Sequence, residues 1–267
     1  MYLTTAQVQK IEPVARNCFA LCLKEKHIAE KAVPGQFIHV RLSSGLHPLL
    51  RRPFSIAETD PLQETFRLLI SAVGEGTRFL QKMQEGQSLD CLGPLGSGFF
   101  PRTPPYVLVA GGIGVAPLVF LAQRLSRENH PVSFYYGTAS VEEQIPLQMW
   151  LPGSVDCIKA TEDGSTGYRG RVTEVLDNDI LSGKIPGEIF TCGPAPMLRE
   201  MVRLNAAWGA PMQISLEERM ACGTGACQGC VVEIDQGGKE AEFLRVCREG
   251  PVFDADKVVE FRDDTKG

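Results

Sequence analysis

A chain of 267 residues can bury a substantial core and has room for one large domain or two smaller ones. Its formal net charge of −5 gives no general electrostatic reason to bind nucleic acid or an anionic membrane surface. With 43% hydrophobic and 22% charged residues, it has the balance of a soluble globular protein. The apolar run YVLVAGGIGVAPLVFLA (Tyr106–Ala122) is broken by Gly and Pro, so it reads as buried strand, turn and helix, not as a membrane span. The opening MYLTTAQVQKIEP lacks the basic start and apolar centre of a signal peptide. The nine cysteines are therefore expected in the reducing cytoplasm, where metal binding is a commoner use than a disulfide framework.

Residues 1 to about 100 carry short β-rich runs: FIHVRL (Phe37–Leu42), PFSIAET (Pro53–Thr59) and TFRLLISAV (Thr65–Val73). Turn residues separate them, a spacing that predicts an antiparallel barrel or sandwich. GTRFLQKMQEG (Gly76–Gly86) is the one helix expected there, with Phe79, Leu80 and Met83 on one face and Gly86 ending it. Two short motifs stand out in this region. RRPFSI (Arg51–Ile56) joins two cations, a proline and a hydroxyl at the start of a strand. The planar fork of Arg52 matches a diphosphate, although a surface Arg pair beside an ordinary strand fits the same residues. GEGT (Gly74–Thr77) opens the helix, where backbone N–H groups can approach an anion and where Thr77 could equally be a plain cap.

FFPRTPPY (Phe99–Tyr106) reads as a linker, because its prolines cannot continue a helix or an inner strand. Beyond it, continuous apolar strands alternate with helices. YVLVA precedes a helix over about 115–127, then comes VSFYYG (Val132–Gly137), and GEIFTCG (Gly187–Gly193) precedes a helix over about 195–208. That alternation predicts a parallel sheet covered on both faces. VAGGIGVAPL (Val109–Leu118) is a Gly-rich turn at a strand–helix junction, but its glycines do not follow G-x-G-x-x-G. TCGPAPML (Thr191–Leu198) closes another such junction and places Cys192 at the carboxyl end of a strand, where open α/β sheets bind ligands. A buried structural cysteine is the other reading of that position. The expected division is 1–101, 102–211 and 212–267.

CGTGACQGC (Cys222–Cys230) spaces Cys222, Cys227 and Cys230 as C-x4-C-x2-C, with Cys247 following after a strand and a turn. Three close cysteines and a distant fourth are the plant-type [2Fe–2S] spacing. The intervening Gly and Ala keep side chains away and leave backbone N–H groups free to donate to sulfur. Four cysteines also suit structural zinc, although zinc ribbons usually bring two C-x2-C knuckles. Cys18, Cys22, Cys91 and Cys157 are scattered and read as core fillers.

Taken in order, Arg-x-Phe-Ser, a strand, Gly-x-Gly-Thr and then an α/β half resemble the ferredoxin–NADP reductase superfamily. The resemblance implies FAD held by Arg52, Pro53, Phe54 and Ser55, lined by Leu69, Ile70 and Ser71, with Gly76 and Thr77 on the diphosphate. It also implies a nicotinamide site framed by Gly112, Gly114, Cys192, Gly193 and Pro194, and an inter-domain role for GPLG (Gly93–Gly96). The appended loop SLEERMACGTGACQGC (Ser215–Cys230) narrows the resemblance, over nearly the full chain, to the electron-transfer subunits of class 1B dihydroorotate dehydrogenases. Membership would imply a [2Fe–2S] cluster on Cys222, Cys227, Cys230 and Cys247, and NAD as the nicotinamide substrate. It would also imply a separate FMN-containing catalytic subunit in a heterotetramer of two each, serving pyrimidine synthesis. Electrons would pass from dihydroorotate through the partner's FMN, the cluster and FAD to NAD+. Two rivals remain: the reductase subunit of a hydrogenase, sulfite reductase or transhydrogenase-type complex, and a zinc-stabilised binding module.

Overall fold

The computed structural model describes residues 1–42, 49–184, 186–235, 237 and 242–261. The amino-terminal half is a closed antiparallel barrel built from β1 (Tyr2–Ala15), β2 (Cys18–Lys24), β3 (Phe37–Val40), β4 (Arg52–Asp60), β5 (Thr65–Ser71) and β6 (Ser88–Leu95). The strands follow one another around the barrel in the order β1-β2-β5-β4-β3-β6. Along β5, Phe66, Leu68 and Ile70 point into the barrel core, while Leu69 joins the core on the opposite face. This is the two-residue alternation of a sheet buried on both sides.

The second half is a seven-stranded sheet flanked by helices, with strand order β10-β9-β8-β7-β11-β12-β15. Its elements in chain order are β7 (Tyr106–Gly111), α3 (Val115–Arg127), β8 (Val132–Thr138), β9 (Asp156–Thr161), β10 (Tyr168–Arg169), α4 (Val172–Leu181), β11 (Glu188–Cys192), α5 (Ala195–Trp208) and β12 (Met212–Ser215). They are followed by the hairpin strands β13 (Val231–Ile234) and β14 (Glu242–Arg245), and by β15 (Val252–Asp254). All pairings in the large sheet are parallel except β12 with β15. Every residue of β7 is buried. Leu108 and Ala110 enter the core on the α3 face, Val107 and Val109 the core on the face of α4 and α5. A barrel followed by a doubly covered parallel sheet is the architecture expected from the sequence.

Four details differ from the sequence reading. A second short helix, α1 (Lys26–Lys31), follows β2 and is capped by the Glu25 carboxylate, which accepts from the Ile28 N–H at 2.7 Å. The helix expected to run to Gly86 is α2 (Glu75–Gln81). Leu80 is buried in it, but Phe79 is 49% exposed. It stops early because the chain turns back to the barrel, where the Gly86 N–H donates to the Val8 carbonyl at 2.8 Å. The proline-rich linker has no regular structure but is tied down. Arg102 donates through Nε to the wholly buried Glu188 at 2.9 Å and through Nη2 to Asp254 at 2.8 Å.

The expected boundary at 212 falls on a strand of the large sheet. β12 pairs with β11, and β15 returns from the carboxyl-terminal region to pair with β12. The reason is packing: Cys230, Val232, Val246 and Phe253 share one core with Leu198, Met201 and Ile214. The hairpin region is too short to enclose an interior of its own. The polar tail beyond 261 lies outside the described residues.

Candidate functional site

The first cleft lies where all three regions of the chain meet. Its barrel wall contains Pro53, Phe54 and Ser55 from β4, Leu69, Ile70 and Ser71 from β5, and Phe37, Val73 and Thr77. Ile113 and Ala116 close it from the α3 side, and the segment Ser215–Met220 from the carboxyl-terminal side, with Ser215, Leu216, Glu217, Glu218 and Met220 on its surface. Val73, within this wall, is left 76% exposed. Apolar walls carrying a few hydroxyls suit a planar aromatic cofactor. Seven of the residues singled out by the sequence motifs and the family resemblance thus share one cavity.

Two others sit differently. Arg52 is exposed and donates to the Leu50 carbonyl at 2.9 Å and the Arg51 carbonyl at 3.3 Å, at the cavity's edge rather than in its wall. Its neighbour Arg51 is engaged in a two-pronged contact with Asp90, both at 2.9 Å. Gly76 also lies outside the wall, and a Cβ there would meet Leu42 Cδ1. Thr77 is a cap that also faces the cavity. Its hydroxyl accepts from the Gly74 N–H at 3.1 Å, capping α2, while the side chain lines the cavity.

The second cleft opens at the carboxyl ends of β7 and β11. The chain adds β8, β9 and β10 on one side of β7, then places β11 and β12 on the other, so β7 and β11 flank the topological switch point where open sheets bind ligands. Gly111, Gly112, Pro194 and Met197 line it, together with Thr138 and Arg171. Gly114 and Gly193 are positioned by close approach. A Cβ on Gly114 would lie 2.5 Å from the Cys192 carbonyl oxygen, and one on Gly193 would lie 3.0 Å from the Gly111 nitrogen. The rim carries Glu143, Glu162 and Glu200 against the single cation Arg171, a balance that disfavours an extra ribose phosphate. Glu200 is firmly ionised, because Arg203 holds its carboxyl below the usual range.

Cys192 lines neither cleft. It is 2% exposed, and burial, reinforced by the charge of Glu217, pushes its thiol well above the ordinary range. Burial likewise raises Cys18 to about 11 and Cys91 to about 12. Thiols held protonated and out of solvent do not react. Iodoacetamide at pH 8 is therefore expected to leave Cys18, Cys91 and Cys192 unmodified in the native protein and to label all three after denaturation, as read by peptide mass spectrometry.

The third feature is the cysteine loop. Positive φ at Gly223 (71°) and Gly225 (85°) folds it back on itself. Cys222 Sγ accepts from the backbone N–H of Thr224 and of Cys227, each at 3.4 Å. Against the upward push of burial, these donors draw its thiol down to about 6. The four cysteines form two pairs. Cys222 lies beside Cys227, whose backbone N–H it accepts, and Cys230 lies beside Cys247, both of the latter buried at 2% exposure. Among the described residues no three or more such donors are gathered as a metal-holding group. Two pairs are what a two-iron cluster requires, since each iron takes two thiolates. Arg245 braces the loop, donating through Nη1 to the Gly225 carbonyl at 3.0 Å and through Nε to Glu249 at 2.9 Å.

Two parts of this arrangement escape motif reading. Ser215–Met220 runs from a sheet strand to the cysteine loop and supplies the cavity's third wall, a role carried by connectivity rather than by residue type. His39, inside FIHVRL, looks like any strand residue, yet its ring is wholly buried beside the loop. Burial and the nearby Arg51 charge lower it to about 4, so it is neutral.

Comparison with known proteins matches each region separately. An oxidoreductase FAD-binding domain matches residues 5–100, an oxidoreductase NAD-binding domain residues 108–203, and the iron–sulfur cluster binding domain of dihydroorotate dehydrogenase B residues 217–259. With the clefts and the paired thiols, these define an oxidoreductase that binds FAD, NAD and an iron–sulfur cluster.

The dihydroorotate dehydrogenase B (NAD(+)) electron transfer subunit of Desulforamulus reducens is 37% identical over 256 residues, covering 95% of this chain and 97% of that protein. The subunit of the same name from Bacillus pumilus is 36% identical, covering 96% and 97%. The chain belongs to the family of dihydroorotate dehydrogenase B electron transfer subunits. Among solved structures, one described by flavin-based electron bifurcation in an NADH-dependent reduced ferredoxin–NADP oxidoreductase superposes with a TM-score of 0.85 at 26% identity, covering 97% of this chain and 90% of that one. The ferredoxin reductase of carbazole 1,9a-dioxygenase shares the fold, with a TM-score of 0.69 at 22% identity over 80% and 68%.

Proposed function

We propose that this chain carries electrons between an FMN-containing dihydroorotate dehydrogenase subunit and NAD+, in a cytoplasmic heterotetramer of two subunits each that serves pyrimidine synthesis. The observation that carries this reading is the first cleft, whose walls come from the barrel, from α3 and from the segment that becomes the cysteine loop. A flavin there would lie against the nicotinamide cleft on one side and the thiol loop on the other. When bound, FAD supplies hydride exchange with NAD(H), and a [2Fe–2S] cluster supplies single-electron exchange with the partner.

This chain's own residues bind and orient. Pro53, Phe54 and Ser55 present one wall to the isoalloxazine, and Leu69, Ile70 and Ser71 another. Arg52, at the edge, is free of carboxylate partners in its hydrogen bonds and is placed to turn toward a diphosphate. Gly76 and Thr77 lie in the first turn of α2 and would face the diphosphate. Gly112, Gly114, Gly193 and Pro194 shape the switch point for the dinucleotide, with Cys192 as packing beneath them. Cys222, Cys227, Cys230 and Cys247 hold the cluster, and Arg245 keeps their loop closed. All nine cysteines are free, which supports a reducing compartment, and among the described residues no helix is long and apolar enough to cross a membrane.

The purified chain, loaded with its cofactors, is expected to reduce ferricyanide with NADH and to form no orotate from dihydroorotate. Orotate formation by this chain alone would contradict the reading. The solved reductase at TM-score 0.85 supports a second reading, a reductase subunit of another redox complex. The subunit that co-purifies with the chain separates the two.

A further inference from the structure

His39 is 0% exposed, and neither Nδ1 nor Nε2 has a hydrogen-bond partner. A neutral imidazole carries one N–H donor and one acceptor, and buried polar groups are nearly always satisfied. Its surroundings indicate what completes it. On the barrel side, His39 sits in β3 opposite Pro53 and makes an edge contact with Phe37, at a centroid distance of 6.4 Å. Both Pro53 and Phe37 line the first cleft. On the other side lies the cysteine loop. A Cβ on Gly223 would come 2.4 Å from His39 Nδ1, so the loop backbone rests directly on the ring. The Cys222 backbone is also within reach of the imidazole, although neither ring nitrogen meets hydrogen-bond geometry with it.

We infer that His39 is a positioning residue for the iron–sulfur centre, its ring N–H donating to sulfur of the loaded cysteine loop and joining that loop to the wall of the flavin cleft. This rests on the cluster reading given above and adds a residue outside the cysteine motif. The loop offers only glycine at position 223, so no side chain at that position stands between the loop and the ring. An electron arriving at the centre adds negative charge, which a fixed N–H donor stabilises without any proton leaving the ring. The donor therefore raises the centre's reduction potential.

The test uses the holoprotein grown with 15N-histidine and reduced anaerobically. Pulsed EPR of the reduced centre is expected to show one weakly coupled histidine nitrogen. His27 stacks on Tyr2 and His130 packs against Tyr106, and the His39 variants assign the signal to one ring. In His39→Leu the coupling should vanish and the centre's potential should move negative while the flavin potential stays in place. His39→Gln, which keeps an N–H donor, should recover part of the shift. If His39→Leu does not retain its cluster, the wild-type spectrum and the glutamine variant decide. A fully loaded wild-type centre without histidine coupling, or a potential unmoved by both substitutions, would overturn the inference. Iron and acid-labile sulfide missing from the anaerobically purified chain would overturn this inference and the cluster reading together.

Discussion

Cys247→Ser is expected to strip the chain of its iron–sulfur cluster while leaving NADH-dependent ferricyanide reduction in place. Cys247 is the proposed ligand farthest in sequence from the others, yet it is buried beside Cys230. A hydroxyl at that position is smaller, far less acidic than a thiol and a poor ligand for iron. Loss of an outer partner of a metal ligand typically lowers metal affinity about 10–100-fold, and loss of the ligand itself costs more. The barrel and sheet walls of the two clefts contain no residue within ten positions of Cys247 except Pro251, so flavin and nicotinamide binding should persist. Electron delivery from dihydroorotate to NAD+ in the assembled complex should fall by more than about 100-fold. Iron and flavin content per chain, with the two rates measured side by side, check this. A serine variant that keeps both its iron and its coupled rate would show that Cys247 is not a ligand.

Gly114→Ala should damage the nicotinamide half through sterics alone. Gly114 has an ordinary helical conformation, with φ of −59°, so alanine costs nothing in backbone strain. The added Cβ, however, would lie 2.5 Å from the Cys192 carbonyl oxygen, 2.6 Å from its carbon and 2.7 Å from the Gly193 nitrogen. These are backbone atoms of β11 and the turn after it, and they cannot rotate aside. Overpacking of this kind costs about 1–3 kcal/mol. At ~2–4 °C per kcal/mol, thermal unfolding should drop by several degrees. The Michaelis constant for NADH should rise as the turn is pushed off the switch point. Gly112→Ala makes the contrast. Nothing lies within 4 Å of its added Cβ, but φ is +52°, so its cost of about 1 kcal/mol is conformational. Thermal melts and NADH titrations of both variants distinguish crowding from strain.

Much of the fold was legible because its signals are local. The alternation of continuous apolar strands with amphipathic helices gave α3 and α5 at the expected limits, since Gly, Pro and the helical apolar stripe mark those junctions within a few residues. The first two barrel strands were less legible. β1 spans 14 residues of mixed polarity, TTAQVQKIEP among them, with Pro13 inside it, and it turns at Asn17 with φ of 54°. A strand that pairs with two neighbours and faces solvent for much of its length carries a weak apolar pattern.

The candidate site divides in the same way. The cysteine spacing and the Phe54–Ser55 and Gly112–Gly114 motifs are short-range and could be read directly. The contribution of Ser215–Met220 could not, because it depends on β12 pairing with β11 and so delivering that segment to the barrel. His39 could not be read either, because its isolation follows from the loop folding over it roughly 180 positions later in the chain. Arg51 and Arg52 show the limit of motif reading between neighbours. One pairs with Asp90 and the other is left at the cavity's edge, although the two are the same residue type.

The most direct measurement of the relay is the coupling between substrates in the assembled complex. Dihydroorotate and NAD+ are supplied anaerobically to the catalytic subunit with and without this chain, and orotate and NADH are followed together. The account predicts equal amounts of orotate and NADH when the chain is present, and no NADH when it is omitted. NADH formation that does not depend on this chain, or orotate formation that its presence fails to couple to NADH, would contradict it.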